Sequence, residues 1–99
     1  MLTAAVSSFG QGKALSNAER FYGIRNYTEA LPLFLEAIEA GEKDPMVQYK
    51  VGVCYLNSRD VSQEIKAIPY LENALKGGAT LPSSVYYDLG ETYLKDENI

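Results

Sequence analysis

The sequence predicts an all-α fold built from repeated antiparallel helix pairs, and three observations carry that prediction. The segment Ala30, Leu31, Pro32, Leu33, Phe34, Leu35, Glu36, Ala37, Ile38 returns as Ala67, Ile68, Pro69, Tyr70, Leu71, Glu72, Asn73, Ala74, Leu75, a shift of 37 residues. A second stretch, Tyr49 to Leu56, returns independently as Tyr87 to Leu94, a shift of 38. Two segments agreeing within one residue define a repeated supersecondary unit of about 37 residues, with one additional residue in the Gly77 to Pro82 connection. Within each unit the apolar residues follow helical spacing: Ala30, Phe34, Ala37 and Ile38 are i, i+4, i+7, i+8, and Tyr49, Gly52, Val53 and Leu56 are i, i+3, i+4, i+7.

The elements follow in order from these spacings and from the breaks between them. Residues 1–11 show no helical pattern; they read as a terminus outside the fold or as the remnant of a secretory signal peptide that lacks its cationic start. Helices are expected at about 14–23, 27–40, 45–57, 63–76 and 83–95. Gly23 to Asn26 and Asn57 to Asp60 separate helices inside a unit, while Gly41 to Pro45 and Gly77 to Pro82 join units. Asn26 with Glu29 three residues on resembles a capping arrangement for the second helix. Pro32 and Pro69 occupy matching places and are expected to bend the second helix of each unit or to sit near its first turn. Ala30, Ala37, Gly52, Ala67, Ala74 and Gly90 recur at one register, as required where two helix backbones approach closely. A mid-helix glycine costs about 1 kcal/mol relative to alanine, so its repetition at 52 and 90 asks for a packing reason.

Composition narrows the function classes. The chain has 99 residues, 46% apolar, with a formal charge of −4, which bounds it to one small domain. Without a basic stretch it lacks the phosphate-neutralising charge of a nucleic-acid binder, and it has no apolar run long enough to insert in a membrane. No histidine is present, and the acidic pairs Glu36/Glu39 and Asp88/Glu91 are i, i+3 pairs expected on solvated helix faces, so no catalytic group is assigned. The single cysteine, Cys54, lies beside the repeated glycine and reads as a buried small hydrophobe. No metal ligand set and no cofactor motif are present.

The helix pair with a small residue, an aromatic three later, then Ala, bulky, Ala at spacings of four and three, then Pro, resembles the tetratricopeptide repeat (TPR). The residues that carry the likeness are Gly52, Tyr55, Ala67, Leu71, Ala74 and Pro82 in one unit, and Ala18, Phe21, Tyr27, Ala30, Phe34, Ala37 and Pro45 in the unit before it. A further unit begins with Tyr86, Gly90 and Tyr93. The usual Trp is absent, and extra residues occur in the Asn57 to Glu64 turn and before both closing prolines. The resemblance implies a right-handed superhelical stack of about two and a half repeats over residues 12–99, in a chain that is a fragment of a longer protein. Gly52 to Ser58 followed by Ala67 to Leu71 is also similar to the N-terminal repeats of bacterial OmpA-like, β-propeller-bearing envelope proteins related to type IX secretion. That likeness implies a periplasmic or outer-membrane-associated location, with the cytoplasm as the alternative.

The repeat family binds protein or peptide partners in a concave groove lined by the first helix of each unit. Carried over by register, the groove candidates are Leu15, Glu19 and Tyr22 in the first unit, Met46, Tyr49, Val53, Leu56 and Asn57 in the second, and Tyr87, Glu91, Leu94 and Lys95 in the third. The groove lacks the Lys and Asn pattern of carboxylate-gripping relatives, so an apolar or basic peptide suits it better. Tyr49 and Tyr87 fit two readings, peptide contact or packing between units. The alternative at the level of the chain is a structural spacer that binds no separate ligand. The last helix presents Tyr86, Leu89, Gly90 and Tyr93 with no following helix in the sequence; further repeats, another domain or a second copy forming a homodimer would cover it.

Overall fold

The turns of this chain are set by residues in the left-handed backbone region. Gly41 (φ 118°) and Gly78 (φ 84°) end two helices 37 positions apart, at the same register of the repeat. At each, two amide hydrogens fold back: Glu42 to Ala37 and Gly41 to Ile38 in the first, Ala79 to Ala74 and Gly78 to Leu75 in the second. This Schellman closure satisfies carbonyls that the helix end leaves free. The first helix ends in the same way, with Asn26 donating to Phe21 and Arg25 to Tyr22, but here the left-handed residue is Arg25 (φ 61°).

The computed structural model describes the backbone of residues 2–97 and the side chains of residues 12–97. Among the described residues all regular structure is helical: α1 (Leu2–Gly23), α2 (Tyr27–Glu39), α3 (Pro45–Leu56), α4 (Val61–Glu64), α5 (Ala67–Lys76) and α6 (Ser83–Glu97). The first helix expected at 14–23 lies inside α1, which starts at Leu2. The reading of residues 1–11 as a tail or signal-peptide remnant turns on side chains outside the described residues. The expected helix at 63–76 is instead two. Pro69 has no N–H to give the Ile65 carbonyl, which accepts from Ile68 three residues on, and Lys66 likewise bonds back three residues to Gln63. The chain therefore turns tightly at 65–66, with α4 as a separate turn and Pro69 in the first turn of α5. Pro32, its counterpart, lies inside an unbroken α2.

The chain divides into two compact units, Met1–Lys43 and Asp44–Ile99. In the first, α1 packs on α2. Asn26 caps α2, its side-chain oxygen accepting from the Glu29 amide at 3.3 Å, and the buried stripe of α2 is Ala30, Phe34 and Ala37. In the second unit α5 buries Ala67, Leu71 and Ala74, the same three positions 37 residues on, all six fully buried.

In that unit α3 and α5 run antiparallel. Asp44 caps α3 through the Met46 amide, with Pro45 in its first turn. A side chain built at Gly77, just past α5, would lie 2.5 Å from the Pro45 ring; one built at Gly52 would lie 2.5 Å from Leu71 Cδ2 and 2.7 Å from its Cγ. Tyr55 stacks at a tilt on Tyr70, ring centroids 5.7 Å apart. Start of one helix thus meets end of the other, and the backbones close in where glycine leaves room.

The same reading fails at Gly90. A Cβ there would meet nothing within 4 Å, and the residue is exposed. The expected uncovered stripe also needs correction, because Leu89 is buried together with Val85 and Thr92. The half of α6 that corresponds to Val47, Val51 and Cys54 of α3 is covered. The half that corresponds to Gly52 and Tyr55 is open.

Candidate interaction surface on the second unit

The end of α3, the extra turn α4 and the flank of α6 that bears Asp88, Glu91, Thr92 and Lys95 converge on a small polar pocket of about 180 Å³. Four residues expected in the groove line it: Leu56, Asn57, Glu91 and Lys95. Three others join them, Glu64, Asp88 and Thr92. Lys95 Nζ donates to Glu64 Oε2 at 2.9 Å. That hydrogen bond, with the fields of Glu64, Glu91 and Asp88, holds the Lys95 ammonium above the usual lysine range. Three carboxylates thus surround one ammonium, so the pocket favours added positive charge.

Two polar groups at this pocket already serve their own helices. Asn57 Nδ2 donates to the Val53 carbonyl at 2.8 Å, closing the end of α3, so one of its two amide hydrogens is engaged. Thr92 Oγ1 donates to the Asp88 carbonyl at 2.7 Å, the back-bond by which a hydroxyl is tolerated in a helix. This explains how a buried threonine sits at the position of Cys54 without an unpaired hydroxyl.

Tyr87 belongs to a different place. With Tyr86, Gly90, Glu91 and Leu94 it lines a shallow apolar depression of about 510 Å³ on the outer face of α6, where Tyr86, Tyr87 and Leu94 are 54%, 72% and 61% exposed. Glu91 borders both depressions. Met46, Tyr49 and Val53 are half-buried along α3 and line neither. Tyr22 lies in the first unit, packed edge-on against Tyr27 at 5.7 Å and Phe34 at 5.8 Å, so its ring contributes to packing there. Tyr93 is anchored through its hydroxyl, which donates to Glu72 Oε2 on α5. That bond pushes its pKa above the usual tyrosine value.

The residues that sequence reasoning missed have identifiable causes. Glu64 lies on α4, the inserted turn, which has no counterpart in the repeat. Asp88 reads in the sequence only as half of the i, i+3 pair with Glu91. Burial pushes the Cys54 thiol up to about 12, which keeps it protonated near neutrality. Among the described residues no group of three or more His, Cys, Asp or Glu side chains is placed to hold a metal ion, and no helix is long and apolar enough to cross a membrane. Comparison of the chain with protein-family models, with curated proteins and with solved structures finds no match to any of them.

Proposed function

We propose that this chain is a protein-interaction module of the tetratricopeptide type that binds a peptide or a neighbouring protein domain and performs no reaction of its own. The observation that carries the reading is the convergence of Leu56, Asn57, Glu91 and Lys95 with Glu64 and Asp88 around one pocket. It offers an apolar edge, a side-chain amide and an excess of carboxylate. Such a surface suits an extended segment with Lys or Arg beside an apolar residue, because opposite charge steers and orients the encounter. In the envelope setting implied by the resemblance, the partner would be an exposed segment of another periplasmic or outer-membrane-associated protein. The packing of Tyr22 on Tyr27 and Phe34 favours the spacer role for the first unit, leaving recognition to the second.

The test is an NMR titration of the isotope-labelled chain with a proline-containing Lys/Leu peptide and with its Glu/Leu counterpart. Saturable shifts centred on Asn57, Glu91 and Lys95 with the first peptide, weakened by salt and by the double substitution Glu64→Gln, Glu91→Gln, are expected. Equal response to both peptides, or shifts confined to other helices, would overturn the reading.

A further inference from the structure

Glu64 reaches the pocket because the second unit carries a longer turn. Residues 24–26 lie between α1 and α2, whereas 57–66 lie between α3 and α5. Asp60 caps the extra helical turn through the Ser62 amide and hydroxyl, and the Glu64 amide donates back to the Asp60 carbonyl at 2.8 Å. A short, capped turn thus presents one carboxylate to α6.

The two partners of the ion pair are unequally placed. The Glu64 side chain is 14% exposed and that of Lys95 is 40% exposed. A carboxylate withdrawn that far from water requires a cation, and Lys95 supplies one, bonding Oε2. The lysine has a second station. Glu91 precedes it by four residues on α6, the favourable order for an ion pair along a helix, and the fields of Glu91 and Asp88 already act on its charge. An incoming cation can therefore take Glu64 without stranding Lys95. A guanidinium suits this exchange better than an ammonium, because its fork engages both carboxylate oxygens and it gives up less hydration on entering.

Resting on the pocket reading above, we infer that Lys95 is an internal placeholder on Glu64, that an arginine of the bound segment enters by displacing it, and that Glu64 sets a preference for arginine over lysine.

The test uses the full chain and three end-blocked versions of one proline-containing leucine peptide, with arginine, lysine or the neutral isostere citrulline at a single position, followed by fluorescence anisotropy. Wild type binds the arginine peptide most tightly, the lysine peptide less and the citrulline peptide least. Lys95→Met keeps the aliphatic stem and vacates Glu64; for a placeholder present about 90% of the time, affinity for the arginine peptide rises about tenfold. Lys76→Met, the same charge change at an exposed residue outside the pocket, alters it less than about threefold. In a Glu64→Gln background the gain from Lys95→Met disappears. In wild type, needing no substitution, the Lys95 Nζ NMR resonance shifts on saturation with the arginine peptide. Wild type that binds while Lys95→Met binds no better overturns the placeholder role and leaves the pocket reading standing. So does a gain that survives Glu64→Gln or is matched by Lys76→Met, equal affinity for the arginine and lysine peptides, or an unmoved Lys95 resonance at saturation. Binding of the arginine peptide by neither wild type nor Lys95→Met removes the pocket reading, and the placeholder with it.

Discussion

Gly52→Ala and Gly90→Ala make the same chemical change at equivalent positions and are expected to move stability in opposite directions. Alanine in a helix interior is favoured over glycine by about 1 kcal/mol. At Gly90 nothing within 4 Å opposes that gain, so the variant is stabilised by up to about 1 kcal/mol, or roughly 4–8 °C in Tm for a domain of this size. At Gly52 the added methyl would lie 2.5 Å from Leu71 Cδ2 and 2.7 Å from Cγ. Rotating the leucine tip relieves the first contact but not the second, because Cγ is the branch point of a fully buried side chain. Either α5 backs away from α3 or Leu71 leaves its rotamer, a cost of about 1–3 kcal/mol. The upper part of that range applies, since the two clashing atoms belong to one fully buried side chain. Subtracting the helix gain leaves a net loss of roughly 1–2 kcal/mol. Urea and thermal unfolding followed by circular dichroism, with the two variants run beside wild type, give both signs in one experiment. Equal effects of the two substitutions, or a stabilised Gly52→Ala, would refute the close approach of α3 and α5 on which the fold of the second unit is argued.

Four further outcomes follow from single residues. Arg59 holds φ 65° and Gly78 φ 84°, so Arg59→Gly is expected to raise stability by about 0.5 kcal/mol while Gly78→Ala lowers it by about 1 kcal/mol, both read from urea midpoints. Cys54, with its thiol near 12, is expected to react with an aromatic disulfide reagent at neutral pH only as fast as the chain unfolds; rapid stoichiometric labelling of the native protein would contradict its burial. Asp60 caps α4, accepting from the Ser62 hydroxyl and amide, and these bonds lower its pKa from 3.8. Its folded value lies below its unfolded one. The cap's contribution is therefore complete above about pH 4 and disappears as the pH falls through the folded value. An NMR titration of its carboxyl should give a midpoint below 3.8, and Asp60→Asn should remove that part of the acid dependence while keeping the cap.

Much of the architecture is legible because the determinants are local and repeated. Ala30, Phe34 and Ala37 share one helix face by spacing alone, and finding the same pattern 37 residues later assigns Ala67, Leu71 and Ala74 to the same task; all six are fully buried. Proline was harder to read. Its effect depends on how far it lies from the start of its helix, and that start is fixed by neighbours. The Asn26 cap begins α2 early enough that Pro32 falls in its interior. In the second unit the residues inserted after Asn57 wind into α4 under the Asp60 cap, so α5 starts afresh and Pro69 lands where no donor is needed. Gly90 marks a different boundary of sequence reasoning: spacing identifies a helix face, whereas burial requires another element to lie upon it.

The candidate surface was half legible for a reason that lies in helix geometry. Tyr87, Glu91 and Lys95 are successive i+4 neighbours, and register alone groups them on one face. Yet at 3.6 residues per turn each step of four residues rotates the side chain by roughly 40°, so Tyr87 and Lys95 diverge by about twice that. Lys95 comes around to meet Glu64 beside Asn57, Tyr87 stays on the outer face, and Glu91, midway, borders both depressions. A single stripe in the sequence therefore becomes two adjoining surfaces of opposite character on one helix: a pocket with excess carboxylate and an apolar face built around a vacant glycine. Asn57 lines only the pocket and Gly90 only the apolar face, so substitutions there, rather than at the shared Glu91, tell the two surfaces apart.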